Sequence, residues 1–285
     1  VLAAQTPGLT LIAPQGRIVL GRVGARWAMQ EPVATPADQK AVQALVRSLA
    51  SIRIARFLDS PPDSAAGLDS PIATASIEFE RRIPRGQEFD TATLKRTLIV
   101  GGPASSDGGE LYASVDRSIA APGTPAIATS TAITIDRAAV DAISMDPTAY
   151  IAPTPFAAPA SEVGAIEVAR GSAPEPVRRF ERTLDGWRAQ VPDAANSVLP
   201  VGPDAEQIGA LLRLLCEQAP GRITLEQSAV NDAITVRLFS LGGSPLGLVR
   251  IVRERTTGEP MDRPDATGLI LISGPVTRMY DHAPW

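Results

Sequence analysis

The side chains that could do covalent chemistry are few, and their spacing does not assemble them. Cys216 is the only cysteine and His282 the only histidine in 285 residues. A thiol nucleophile needs a base within hydrogen-bond reach, yet His282 stands at the extreme C-terminal end. Cys216 lies in ALLRLLCEQ, a leucine-dominated helical pattern where a lone cysteine packs as a small apolar residue. A single cysteine also excludes an intrachain disulfide and a cysteine-based metal site. A Ser-His-Asp triad would need the same terminal histidine, and no Gly-x-Ser-x-Gly is present.

The glycine-rich stretch Gly101 to Glu110 (GGPASSDGGE) invites a phosphate-loop reading. That motif ends in Gly-Lys-Ser/Thr before a helix, and neither follows here, so a hairpin loop is favoured. Gly242-Gly243-Ser244-Pro245 reads as a second turn. The carboxylate pairs Asp59 with Asp63 and Asp262 with Asp265 lack EF-hand spacing and ligand number, so they read as solvated turn residues. Trp27 and Trp187 could stack on a sugar or a base. Their recurrence in matching settings favours a packing role instead. The expectation is therefore no catalytic residue, no metal and no cofactor.

Charge narrows the partners. The net charge is −4, and no basic tract of five or more residues occurs. Only Lys40 and Lys95 supplement the arginines. Nucleic-acid binding draws on clustered cations, so it is not expected. No run of 18 apolar residues spans a membrane. Because the chain opens on Val1, a signal or a membrane anchor upstream is compatible with it.

Positioning elements can be read from periodicity. Gly16 to Pro32 (GRIVLGRVGARWAMQEP) and Pro176 to Pro192 (PVRRFERTLDGWRAQVP) share a strand, turn, tryptophan, strand and proline, with the tryptophans 160 positions apart. Such self-similarity predicts one unit used twice. After the first block, Asp38 is placed to cap a helix whose stripe is Val42, Leu45, Val46, Leu49 and Ile52. After the second, Ile208, Leu211, Leu212, Leu215 and Ala219 form the stripe of a helix over Asp204 to Ala219. Aligning the helices requires an offset of 166, a six-residue insertion in the preceding loop, where added length costs little.

Short alternating runs predict strands at Leu9 to Ala13, Arg17 to Arg22, Arg26 to Gln30, Ile54 to Leu58, Ala73 to Arg81, Leu94 to Val100, Glu110 to Val115 and Ala132 to Ile135. Further strands are expected at Ala165 to Ala169, Val177 to Arg182, Trp187 to Val191, Arg222-Ile223, Ile234 to Phe239, Gly247 to Arg253 and Leu269 to Ile272. The predicted fold class is α+β, with two related units, each an antiparallel meander and sheet with one main amphipathic helix packed on one face. The first unit is expected over 1–150, with an extra hairpin and a short helix near 94–143. A linker with four prolines is expected over 146–160, and the second unit over 161–285. Trp27, Leu45, Leu49, Trp187, Leu211 and Leu215 are the expected core anchors.

The order of these motifs resembles a bacterial family known as domain of unknown function 4340. The resemblance rests on the strand pair, the Trp followed by Pro, the Pro36-Ala37-Asp38 helix start, the basic-aromatic Arg56-Phe57 strand and Gly67-Leu68-Asp69-Ser70-Pro71. LIVGGPASSDGGELYASV and DPTAYI continue it, and coverage is nearly the whole chain. The resemblance implies an envelope protein, commonly tethered by an N-terminal membrane helix and encoded beside gliding-motility-type ABC transporter components. It carries over no catalytic residue.

Together these readings predict a non-catalytic, extracytoplasmic structural or interaction module, on the periplasmic side of the cell envelope. It would be an accessory or scaffold subunit of a membrane-associated assembly, with protein partners, possible contact with an ABC-transporter-type complex, and membrane contact only through a segment outside this chain. The alternative is a binding protein for a glycan or peptide in a cleft between the units. A hydrolase with an unfamiliar site is the third reading.

Overall fold

The computed structural model describes residues 8–59, 66–85, 88–121, 124–170, 178–190, 205–225, 233–253 and 269–280. The chain divides into two compact units, Val1–Ile151 and Ala152–Trp285.

The first unit opens with a meander of β1 (Gly8–Ala13), β2 (Gly16–Val23) and β3 (Arg26–Glu31), followed by the two-residue β4 (Thr35–Pro36). Helix α1 (Gln39–Ser51) begins where Asp38 caps it, its carboxylate accepting from the Lys40 and Ala41 backbone N–H groups at 2.8 and 3.1 Å. The edge strand β5 (Ile54–Phe57) comes next. Then four long strands run in succession: β6 (Ala73–Arg85), β7 (Glu88–Pro103), β8 (Glu110–Ala121) and β9 (Thr124–Asp136), closed by the short helix α2 (Arg137–Asp141). All pair antiparallel in one nine-stranded sheet of order β4-β3-β2-β1-β6-β7-β8-β9-β5.

The second unit contains β10 (Val163–Arg170), β11 (Arg178–Thr183), β12 (Gly186–Gln190), helix α3 (Ala205–Cys216), β13 (Arg222–Thr224), β14 (Ile234–Ser240), β15 (Pro245–Arg253), β16 (Leu269–Ser273) and β17 (Val276–Tyr280). Its eight strands run β12-β11-β10-β14-β15-β16-β17-β13. Strand for strand this is the order of the first sheet without β4. The register agrees as well: Arg22 faces Trp27 and Val23 faces Arg26, as Arg182 faces Trp187 and Thr183 faces Gly186. The hairpin β7–β8 of the first unit thus has a counterpart in β15–β16.

The expected α+β class is corrected by this architecture. The protein is mainly β, two antiparallel sheets of nine and eight strands with three α-helices among the described residues. The cause lies in strand length. β6 to β9 run for 12 to 16 residues each, whereas α1 buries only Val42, Leu45 and Val46. Each core is therefore built chiefly from strand side chains that alternate inward. In the first unit Leu111, Ala113, Ile133 and Ile135 are sealed beside Ala73, Val100 and Val140. In the second, Ile166, Leu238, Val249 and Leu271 close on Ile208, Leu212, Leu214 and Leu215 of α3. That helix ends at Cys216, not Ala219, which is exposed.

The proline-rich stretch 146–160 is used within both units. Asp146 caps a 3-10 turn over Pro147–Tyr150, and the Tyr150 carbonyl accepts from Asp38 N–H at 2.8 Å, at the start of α1. Ile151 bridges to Ala37. In the second unit Phe156 and Ala158 are buried, and the Ala152 and Pro153 carbonyls accept from Arg278.

Candidate interaction edge

The expected anchors are placed as follows. Trp27, Leu45 and Leu215 are buried, while Leu49, Leu211 and Trp187 are half-buried. Trp27 lies on the core face of β3 beneath the Arg22 guanidinium, 5.5 Å from the ring centroid. Trp187 packs against the second core cluster with one side open.

The glycine-rich loop binds its own chain. Gly67 adopts φ +69°, and a Cβ there would come within 3.2 Å of the Gly102 nitrogen; one on Gly101 would collide with the Ala66 carbonyl. The Gly-Leu-Asp-x-Pro turn and the end of β7 thus need glycine because two backbones touch. Beyond them, Asp107 accepts from the Ser105 hydroxyl and from Gly109 N–H, and these bonds hold its carboxyl below the usual range. This is a self-satisfied turn. Gly242-Gly243-Ser244-Pro245 is a turn as well, with Ser240 N–H donating to the Ser244 carbonyl at 2.8 Å.

Cys216 is half-buried, and burial first and Glu217 second push its thiol up to about 11. A nucleophilic thiol needs the opposite shift. Asp63, Asp262, Asp265 and His282 lie outside the described residues, as does Asp204. Among the described residues no group of three or more His, Cys, Asp or Glu side chains could hold a metal ion. No described helix is long and apolar enough to cross a membrane.

The feature that stands open to a partner is β5. Its sequence IARF follows α1 directly, and among the described residues its only ladder is to β9, so it forms an edge of the described sheet. All four residues are exposed. Ile54 faces Ile135 and Phe57 faces Ile133, with a bulge between Ile54 and Arg56. Ile54 and Phe57 therefore continue the core face outward, yet they are 43% and 69% exposed while Ile133 and Ile135 are sealed. The apolar cluster runs out to an unpaired edge.

One side of β5 is anchored. Arg56 reaches across β9 to Glu110 on β8 at 2.7 Å, and the same carboxylate oxygen accepts from the Thr134 hydroxyl at 2.9 Å. The Arg56 guanidinium, with Thr134 second, holds the Glu110 carboxyl below the usual range. The exposed ion pair itself is worth little. Leu58 N–H donates inward to the Ala132 carbonyl at 3.1 Å; by strand alternation the N–H of Phe57 faces away from the sheet.

Periodicity identifies Ile54 to Leu58 as a strand. Its edge position follows from pairing with residues about eighty positions later, which no local pattern reveals.

Among known proteins, the family model described as Domain of unknown function (DUF4340) matches residues 27–235. No curated protein and no solved structure matches the chain.

Proposed function

The chain belongs to the family described as Domain of unknown function (DUF4340), and from that premise we propose that it is a non-catalytic interaction module that captures a protein partner by strand addition at β5. Its place would be the extracytoplasmic side of the envelope, as an accessory or scaffold subunit of a membrane-associated assembly. The supporting observation is the exposed β5 edge with Ile54 and Phe57. An edge strand offers a row of main-chain donors and acceptors, and the alternate apolar side chains supply selectivity. Natural sheets guard such edges with short strands, bulges, lysine, proline or an inward charge; β5 is short and bulged, but its core face carries no lysine, proline or charge.

The test is capture from native membranes with the full chain as bait. Phe57→Pro removes the outward N–H while leaving the inward ladder donors in place, and should abolish recovery of the partner with the fold retained. Phe57→Ser keeps the N–H and loses the apolar contact, and should weaken recovery. Undiminished capture by Phe57→Pro with an unchanged circular dichroism spectrum would exclude strand addition at this edge.

A further inference from the structure

A second surface of the first unit lies on the outer face of its sheet. On the sheet face opposite the sealed cluster, the register aligns Ser76, Thr97, Asp116 and Ser130 in one row across β6 to β9. In the next row Lys95, Ser118 and Ala128 stand side by side. Because β9 contributes only small side chains here, the sheet forms a depression of about 380 Å³ lined by members of both rows together with Arg117 and Thr129 between them. That volume is at the lower end of ligand sites, roughly 300–1,000 Å³.

Asp116 and Ser130 in it, with the buried Ser114 beside them, are short of protons. Ser114 Oγ and Ser130 Oγ stand 2.9 and 2.7 Å from Asp116 Oδ1 and 2.8 Å from each other. Two hydroxyls supply two protons for three contacts, and a carboxylate accepts only. One side of the triangle therefore sets oxygen against oxygen, which an outside donor would relieve. Asp116 Oδ2 has no hydrogen-bond partner among the described residues, and it adds a further acceptor. Lys95, 3.5 Å from Glu78, is half-exposed and, together with Arg117, supplies cationic donors to the depression.

We propose that this depression is a saccharide-binding subsite. A sugar hydroxyl both donates and accepts, so vicinal hydroxyls can donate to Asp116 and the serine oxygens while accepting from Lys95. An anionic ligand would meet Asp116, and an apolar one would bury unpaired hydroxyls at a cost. A divalent cation would find one carboxylate where hard cations gather six or more oxygens. Half-buried Tyr112 lies on the same face of β8 four residues from Asp116, about 13 Å at strand rise. That distance is within reach of a short oligosaccharide.

The experiment is an amide-shift NMR titration of the full chain with maltotetraose and with the tetramer of N-acetylglucosamine. At least one probe should produce saturable shifts at residues 95–97, 116–118 and 128–130. Asp116→Ala should weaken binding about tenfold or more, the loss expected for a hydrogen bond to a charged group. Asp116→Asn is the sharper variant, since its amide supplies the missing protons internally while preserving shape; it too should weaken binding. Absence of saturable shifts up to about 20 mM of either sugar, shifts unchanged in Asp116→Ala, or the same shifts produced by calcium chloride alone would overturn the assignment. Partner capture at β5 is unaffected by these variants, so the two readings fail separately.

Discussion

Ile133 on β9 pairs with Phe57 on β5, and Arg278 on β17 pairs with Ile223 on β13. These are corresponding places in two sheets of one strand order, and both side chains are 1% exposed. In the first unit the position is sealed by hydrocarbon. In the second it holds a guanidinium whose Nε and Nη2 donate to the Pro153 and Ala152 carbonyls at 3.0 and 2.9 Å, while Nη1 has no partner among the described residues. Strand order thus survives replacement of an apolar residue by a buried cation, provided a neighbouring segment turns its carbonyls inward. The outer faces differ as well. The first sheet carries a row of hydroxyls with Asp116 and two separate ion pairs, Lys95 with Glu78 and Arg56 with Glu110, whereas the second carries an ion network in which Arg179 bonds Glu167 and Glu181 at 2.6 and 2.9 Å and lies over Phe239.

Exchanging the two core positions is the severest way to break this correspondence. Ile133→Arg places an uncompensated charge in the first core, with no carbonyl pair described there to receive it, and should cost at least about 4 kcal/mol or unfold the unit. Arg278→Met should cost less, about 1–3 kcal/mol, because the removed desolvation penalty offsets only part of the loss at the Ala152 and Pro153 carbonyls, which are left without this donor. Urea unfolding with unit-resolved hydrogen exchange measures both. If Arg278→Met costs more than about 3 kcal/mol, the guanidinium is a requirement of the second core and the tolerance argued above is wrong.

The tryptophans sharpen the comparison at the next level. Trp27→Ala should cost about 3–4 kcal/mol, the usual loss for a buried aromatic, and Trp187→Ala about half as much since that ring is half-exposed. Equal losses in chemical denaturation would mean that the two rings do the same packing work despite their different exposure.

The edge beside these rings gives a smaller effect. In the first unit the Gln39 side-chain amide acts as a one-residue strand: its Oε1 accepts from Trp27 N–H at 2.8 Å, and its Nε2 donates to the Trp27 and Ala37 carbonyls at 3.0 and 2.8 Å. The offset of 166 between the helices puts Ala205, which carries no side-chain amide, at the corresponding place. Gln39→Ala should cost about 1–3 kcal/mol, the range for leaving buried polar groups unpaired. It should also raise exchange at the Trp27 amide specifically. Unchanged protection there would remove this distinction between the edges.

Much of the strand scaffold is legible in the sequence because apolar alternation is local. Asp38 is recognisable as a cap, and β1 to β3, α1 and β14 to β16 lie where their patterns predict. What escapes notice has identifiable causes. β17 reads Val-Thr-Arg-Met-Tyr, and the buried Arg278 at its centre makes a core face look solvated. The first half of β9, Thr124 to Thr131, is built of alanine, serine, threonine and little else, so neither face announces itself. Charged residues along Glu80 to Arg85 hide the end of β6. These lost strand residues are what turn an expected α+β layer into a mainly β protein. The saccharide depression escapes for a related reason: its residues come from strands whose register only long-range pairing sets.

The last difference between the units should appear in alkali. Burial raises Tyr150 from 10 to about 12 in the first unit, where its hydroxyl donates to the Ser144 carbonyl at 2.8 Å. A group whose folded value is raised contributes stability that is present below pH 10 and lost as pH climbs toward 12. Tyr280 in the second unit is also raised to about 12 by burial, with Arg278 acting against the shift. Burial lowers Arg278, but a guanidinium stays charged throughout this range, so it favours the Tyr280 phenolate. Loss at Tyr280 is thus opposed by a fixed cation in the second unit, whereas burial alone acts on Tyr150 in the first. Unit-resolved hydrogen-exchange protection between pH 9.5 and about 11.5 should fall in both units, and Tyr150→Phe should flatten the fall in the first alone. Arg278→Met should steepen the decline of the second unit. An unchanged decline in Arg278→Met would show that the buried guanidinium does not act on the Tyr280 phenolate.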